Sequence, residues 1–332
     1  MPQGNLREHG LDAMHSLRSP LICVVGPTAS GKSDLAQELA CRLDGEVVSA
    51  DSMQVYRGLD IGTGKVPKSE RIVAHHGLDL VDPGTPFSAA VFQQYARERF
   101  ADIDARGKRV VLAGGTGLYV RAAIDDYRFP KGDQRENPVR DRYSAYAEAR
   151  GAHALWQLLN ERDPESAREI HPNNVRRVVR AFELLEEGAS YAVQKKNLAH
   201  IAQAVPACLI GLSVRPDVLA PRIDARVDRM FEQGLVEEVE NLLSKGFRSG
   251  ITAPQAIGYK EVVSALDGAI SMKEAREKIK TATHRYAKRQ RSWFRKDDRI
   301  AWIDANERCC RTWADEALKI IERADTCYKE GC

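Results

Sequence analysis

Residues 24–33 read VVGPTASGKS, and how they are read decides the fold. Gly26, Pro27, Thr28, Ala29, Ser30, Gly31, Lys32 and Ser33 satisfy the pattern G-x-x-x-x-G-K-[ST] of a phosphate-binding loop. Such a loop needs glycines so that backbone amides can converge on phosphate oxygens, and a following helix whose N-terminus adds a favourable dipole. Both flanks agree. Residues 21–25 are a short apolar run ending at glycine, and residues 33–43 place Leu35, Ala36, Leu39, Ala40 and Leu43 at helical spacing. Strand, loop and helix in that order predict an α/β fold with a P-loop NTPase-like core, a parallel sheet flanked by helices. Lys32 would meet the charge of a phosphate ester or diphosphate, and the Ser33 hydroxyl would take Mg2+.

Further along, residues 46–49 read as a second strand with Asp51 at its carboxyl end, where the ligand chemistry of open parallel sheets gathers. Residues 87–106 form a helix with Ser88 as N-cap and Gly107 as C-cap, and residues 109–113 form a buried strand that runs into GGTGLY at 114–119. From residue 125 the chain turns charged and turn-rich, then helical and polar to residue 204. This predicts an inserted all-helical subdomain at 125–204, interrupting a catalytic core made of 21–124 and 205–332. The run VPACLIGLSV at 205–214 returns to a core strand, and 215–234 is helical with Arg222, Arg226 and Arg229 near one face. Helices follow at 236–245, 259–266 and 272–295, then a short strand, RIAWID, and a terminal helix. Residues 1–20 lack the apolar centre of a secretory signal, carry Glu8 and Asp12, and read as a disordered extension.

Composition narrows the class. The 332 residues are 43% hydrophobic and 29% charged, which fits a soluble globular protein. No apolar run approaches the ~20 residues that cross a bilayer. Seven scattered cysteines form no C-x-x-C pair, so neither a disulfide framework nor a zinc site is indicated, and the expected compartment is the cytoplasm. The histidines lack H-x-x-x-H or H-E-x-x-H spacing and point to structural roles. A net charge of +3 does not announce nucleic acid, but local clusters do. HPNNVRRVVRAFELL at 171–185 puts Arg176, Arg177 and Arg180 on an amphipathic helix, and HRYAKRQRSWFRK at 284–296 interleaves six cations with Tyr286, Trp293 and Phe294. Either run alone could simply solvate a helix face. Two of them beside a phosphate site favour a polyanionic partner.

What is missing is equally informative. P-loop ATPases and GTPases carry a metal-binding aspartate at the end of a second strand, but the strand at 110–113 ends in AGGTG without a carboxylate. Nucleotide hydrolysis is therefore poorly supported. Asp51, one strand along from the loop, is placed to accept a proton as a general base. The alternatives are a helix N-cap or an outer Mg2+ ligand.

Seven motifs together resemble the tRNA dimethylallyltransferases, the isopentenyl-tRNA transferase family: GPTASGKS, SADSMQVYRGLDIGTGK, GGTGLYVRA, HPNNVRRVVRAFELLE, RIDARVDRMFEQGLVEEV, QAIGYKE and THRYAKRQRSWFR. They stand in the family's order and approximate spacing over residues 21–304. The resemblance implies alkylation: the exocyclic amine of the adenosine 3′ of a tRNA anticodon attacks C1 of dimethylallyl diphosphate, and diphosphate leaves. It further implies that residues 28–33 bind diphosphate, that Lys32 and Arg226 counter its charge, and that Ser33 holds Mg2+. Asp51 would take the amine proton, and Thr116 would contact substrate near the reaction centre. The anticodon stem-loop would lie against Asp51, Ser52, Met53, Gln54 and Thr116, against Arg140, Arg176, Arg177, Val178, Val179 and Arg180 of the insertion, and against Gln255, Gly258, Tyr259 and Lys260. The zinc finger of eukaryotic relatives is missing, which implies a bacterial-type enzyme, expected to act as a monomer. An adenylate isopentenyltransferase, a small-molecule P-loop kinase and a non-catalytic RNA-binding P-loop protein remain as alternatives.

Overall fold

The computed structural model describes residues 17–127, 129, 137–199, 201–307 and 309–331. Its chain divides into two units, residues 1–125 with 203–332, and residues 126–202. The first holds a six-stranded sheet: β1 (Leu21–Val25), β2 (Gly45–Ser49), β3 (His75–His76), β4 (Arg109–Gly114), β5 (Ala207–Ser213) and β6 (Ile300–Asp304) in the order β3-β2-β4-β1-β5-β6. Every pairing is parallel.

A parallel sheet is covered on both faces, so its strands are apolar throughout rather than alternating. In β1 all five residues are buried. Leu21, Cys23 and Val25 point into one core, and Ile22 and Val24 into the other. The first core takes Phe92, Ala96, Phe100 and Ile103 of α2 (Ala89–Ala105). The second takes Leu35, Ala36, Leu39 and Ala40 of α1 (Lys32–Arg42), and Trp313, Ala314, Ala317 and Ile321 of the C-terminal helix Cys310–Glu330. Ser88 caps α2 as its sequence predicts, its side chain accepting from the Val91 amide at 3.2 Å. From β1 the chain moves to β2 on one side of the sheet, and later places β5 on the other side of β1. That reversal opens a crevice at the carboxyl ends of β1 and β4, the place where open α/β sheets bind ligands.

Two features were not expected. β3 is only His75–His76, too short for any periodicity, and side chains anchor it. His76 Nε2 lies 2.7 Å from the buried Glu46 carboxylate, and His75 Nε2 lies 3.2 Å from Gln37 Oε1. The disordered extension expected for residues 1–20 needs correction at its end. Leu17 is buried, its carbonyl accepts from the Tyr328 hydroxyl, and the Arg18 amide donates to Asp104, so tertiary contacts fix residues 17–20 that carry no pattern of their own. Residues 1–16 lie outside the described residues.

The second unit is helical: α4 (Pro138–Arg150), α5 (Ala152–Arg162), α6 (Pro164–Arg168), α7 (Val175–Glu186) and α8 (Tyr191–Ala199), with α3 (Gly117–Ile124) lying before it in the first unit. It has its own small core, where Tyr143 stacks on Phe182 at a ring separation of 3.9 Å over Leu155, Leu159 and Val178.

Candidate active site

The site begins with backbone geometry. Gly31 caps α1 in the left-handed region, φ 94°, and no side chain caps the helix. The first-turn amides of α1 are thus left for a ligand, as an anion site requires. A side chain at Gly31 would be strained by that φ, and its Cβ would also come 2.7 Å from the Trp313 ring, so the terminal helix closes over the loop.

Below the loop opens a cavity of about 340 Å3. Thr28, Lys32 and Ser33 line one end, Asp51 and Arg226 stand beside them, and Val227, Met230, Ile257 and Ile279 supply apolar wall. Gly26, Pro27, Ala29, Ser30 and Gly31 shape the loop without lining the cavity. Burial depresses the Lys32 ammonium to about 8, and the neighbouring Arg226 pushes the same way, against opposing pulls from Asp51 and Asp34. Burial likewise lowers the Arg226 guanidinium. Two cations crowded into one wall, both disfavoured by desolvation, make a site that gains by receiving a polyanion.

The second motif supports this wall. Arg226 stands on α9 (Pro216–Glu232); its Nη2 donates to the Thr63 carbonyl at 3.1 Å, and the bare Cα of Gly64 lets it approach, since a Cβ there would fall 2.2 Å from that nitrogen. The turn is gripped from outside by Glu238 on α10 (Leu235–Ser244), whose carboxylate accepts from the amides of Asp60, Ile61 and Gly62 and from the Tyr259 hydroxyl. Lys65, which closes the same motif, is buried away from the cavity and donates to Tyr56 O, Asp60 and Asp79.

Asp51 follows β2 and lines the cavity, where its Oδ1 accepts from the Met53 amide at 2.9 Å. No helix starts there, which removes the N-cap alternative and leaves base or metal ligand. Ser52, Met53 and Gln54 also line the cavity. Gln54 has its amide engaged within the protein, accepting from Ser49 Oγ at 2.8 Å and donating to Thr63 O and Gly64 O at 3.3 Å. Thr116 does not line the cavity; its hydroxyl accepts from the Ser52 amide at 3.1 Å, one bond behind the wall.

The residues expected to face tRNA divide. Gln255 and Lys260 are exposed and line the cavity. Gly258 and Tyr259 are corrected: Gly258, at φ 99°, begins α11 (Tyr259–Leu266), and Tyr259 is fully buried with its hydroxyl on Glu238. Val178 and Val179 are also corrected, because their side of α7 packs into the core of the helical unit. Arg176 and Arg177 stand exposed on the same helix. Arg140 and Arg180 both bind the Glu183 carboxylate, at 2.7 and 2.6 Å.

Sequence reasoning missed the contribution of α12 (Met272–Phe294), read above only as a basic face with interleaved aromatics. One face of α12 presents Ile279, Thr283, Tyr286 and Gln290 to the cavity, while Phe294 is core. Helical spacing of these four residues was the available signal, masked by the cations between them.

Among the described residues no three His, Cys, Asp or Glu side chains gather as a metal site. The Ser33 hydroxyl and the Asp51 carboxylate do line one cavity. These hard oxygen donors fit a Mg2+ that keeps most of its coordination in phosphate oxygens and water.

The IPP transferase family model matches residues 54–297, and an isopentenyl transferase model matches residues 20–76. A tRNA dimethylallyltransferase of Nocardioides sp. is 47% identical over 289 residues, 86% of this chain and 91% of the relative. One of Streptomyces coelicolor is 46% identical over 308 residues, 92% of this chain and 97% of the relative. The crystal structure of the full-length tRNA isopentenylpyrophosphate transferase of Bacillus halodurans superposes with a TM-score of 0.68 at 39% identity, covering 94% of this chain and 99% of that one. A eukaryotic dimethylallyltransferase acting on tRNA superposes with a TM-score of 0.71 at 29% identity, covering 86% and 74%.

Proposed function

Because the chain belongs to the IPP transferase family, we propose that it is a tRNA-modifying prenyltransferase that moves a dimethylallyl group from dimethylallyl diphosphate to tRNA. The acceptor is the N6 amine of the adenosine immediately 3′ of the anticodon. A carbon–nitrogen bond forms at C1, the C1–oxygen bond breaks, diphosphate leaves with the electron pair, and the amine proton passes to Asp51. The observation that carries this reading is the pairing of Lys32 and Arg226 on one wall of a cavity whose remaining wall includes Val227, Met230 and Ile279. A charged head and a short apolar tail fit that division.

Lys32, Arg226 and the open amides of α1 hold the diphosphate and stabilise the charge it gains on leaving. Ser33 would hold Mg2+, which supplies further positive charge to the leaving group. Asp51 lines the same cavity and takes the proton that the acceptor amine gives up. An amine within an anticodon stack is out of reach, so the base must turn out of the loop to enter. Gln255 and Lys260, exposed at the cavity, and Arg176 and Arg177 on the helical unit are the candidate contacts to the anticodon stem-loop. No helix among the described residues is long and apolar enough to cross a membrane, in keeping with action in the cytoplasm.

Incubation with labelled dimethylallyl diphosphate and unmodified tRNA, AMP or ATP in parallel tests the reading. Label should enter tRNA. Label in AMP alone would point to an adenylate isopentenyltransferase, and ATP consumption with phosphate transfer to a small molecule would point to a kinase.

A further inference from the structure

We infer that Gln290 is a positioning residue that sets the diphosphate half of the site in register with the acceptor half. The inference rests on the prenyl-transfer reading of the cavity and concerns a residue that belongs to neither the phosphate loop nor the Asp51 motif. Gln290 lies near the C-terminal end of α12 and is 5% exposed. Its Oε1 accepts from the amide of Thr28, inside the phosphate loop, at 2.8 Å, and its Nε2 donates to the carbonyl of Gly115 at 2.9 Å. One side chain thus joins two loops, the one that follows β1 and the one that follows β4.

The geometry leaves little freedom. A Cβ at Gly115 would fall 2.2 Å from Gln290 Nε2, so the glycine is what lets the amide sit there. The joined loops carry different halves of the reaction. The first presents Lys32 and Ser33. The second presents Thr116, whose hydroxyl holds the Ser52 amide beside Asp51. Tyr286, one turn earlier on α12, lines the same cavity and lies close enough to Asp51 to feel its charge. Gln290 and Tyr286 thus stand one turn apart on the cavity side of α12, Gln290 bonded to the phosphate loop and Tyr286 near the proton acceptor.

A second consequence concerns the loop itself. In a phosphate-binding loop the backbone amides are the ligands. Here the Thr28 amide is spent on Gln290, so anion binding falls to the amides at the start of α1 and to Lys32 and Arg226. The primary amide accepts at one loop through its oxygen and donates at the other through its nitrogen. Glutamate could still accept from Thr28 but could not donate to Gly115, and alanine does neither.

The test compares the full-length wild type with Gln290→Ala and Gln290→Glu. Amide hydrogen exchange in the ligand-free protein should be faster in both variants at the 114–117 turn, and faster at Thr28 in Gln290→Ala alone. Turnover with dimethylallyl diphosphate and tRNA should fall about 10²-fold in Gln290→Ala, the scale expected when reacting groups are held about 1 Å out of place. The dissociation constant for tRNA and the melting temperature should stay near wild type. In Gln290→Glu the added anion beside Lys32 should also raise KM for dimethylallyl diphosphate, an increase Gln290→Ala should show more weakly. Unchanged exchange at both loops overturns the inference, as does a lowered melting temperature with turnover intact, which marks a structural bond only. A wild-type protein that puts no label into tRNA counts against the prenyl-transfer reading instead, and the exchange measurement still decides the role of Gln290.

Discussion

Lys32 is subject to two opposed effects that can be separated by pH. Burial and the Arg226 charge lower its ammonium to about 8, against an unfolded value near 10.4. Between those values the unfolded chain holds more protons at this position than the folded one, so the contribution of Lys32 to stability rises as pH rises through the window. Its contribution to binding runs the other way, because the neutral amine no longer counters the diphosphate. KM for dimethylallyl diphosphate should therefore climb between pH 7 and 9 while the melting temperature shows no matching loss from this group. Lys32→Arg should flatten the climb, and a flat wild-type profile would remove Lys32 from the diphosphate. Asp51 makes a different prediction. A general base contributes about 10²–10⁴-fold to rate, so Asp51→Ala should lower turnover far more than tRNA affinity. Equal losses would mark Asp51 as a binding residue only. The sequence made both residues visible, Lys32 because it completes the phosphate-loop pattern and Asp51 because it stands just beyond β2. Gln290 was not visible, because its two partners, Thr28 and Gly115, lie 262 and 175 residues away along the chain.

Among the elements, α12 bears most on function, and its own start is well built. Ser271 Oγ accepts from the Glu274 amide at 3.2 Å, and Glu274 accepts from the Ser271 amide at 2.8 Å, a reciprocal capping box. Ser271→Ala should cost about 1 kcal/mol in denaturant unfolding while leaving turnover unchanged, since the cap lies at the opposite end from Gln290. A loss of turnover equal to that of a site variant would mean that the helix position itself is under-determined. The terminal helix is coupled more tightly to the loop. Trp313 is 4% exposed and rests against Gly31, so Trp313→Ala should destabilise by about 3–5 kcal/mol and weaken diphosphate binding as well. Strands and helices of this kind were legible from apolar runs and spacing. The Glu238 clamp on the 60–62 turn was not, because its carboxylate reaches amides from 176 to 178 residues away, and amide positions carry no side-chain signal.

The molecule as a whole joins a parallel-sheet unit that contains the whole cavity to a helical unit at residues 126–202 that carries exposed Arg176 and Arg177. The change to charged, turn-rich composition near residue 125 made that division legible. Which arginines are available to a polyanion was not legible, since ion pairs with the buried Glu183 occupy Arg140 and Arg180. Replacing Arg176 and Arg177 by alanine should weaken tRNA binding and lower the slope of log affinity against log salt by about one for each phosphate that is no longer neutralised. An unchanged slope would take α7 off the RNA surface. The phosphates held at residues 26–33 are, in this account, a group to be discarded rather than transferred. The most direct measurement is the stoichiometry of one reaction without ATP: diphosphate released from dimethylallyl diphosphate against prenyl groups found on the N6 of the adenosine 3′ of the anticodon. One diphosphate per modified adenosine is expected. Diphosphate release that leaves the tRNA unmodified, or modification that requires ATP, would contradict it.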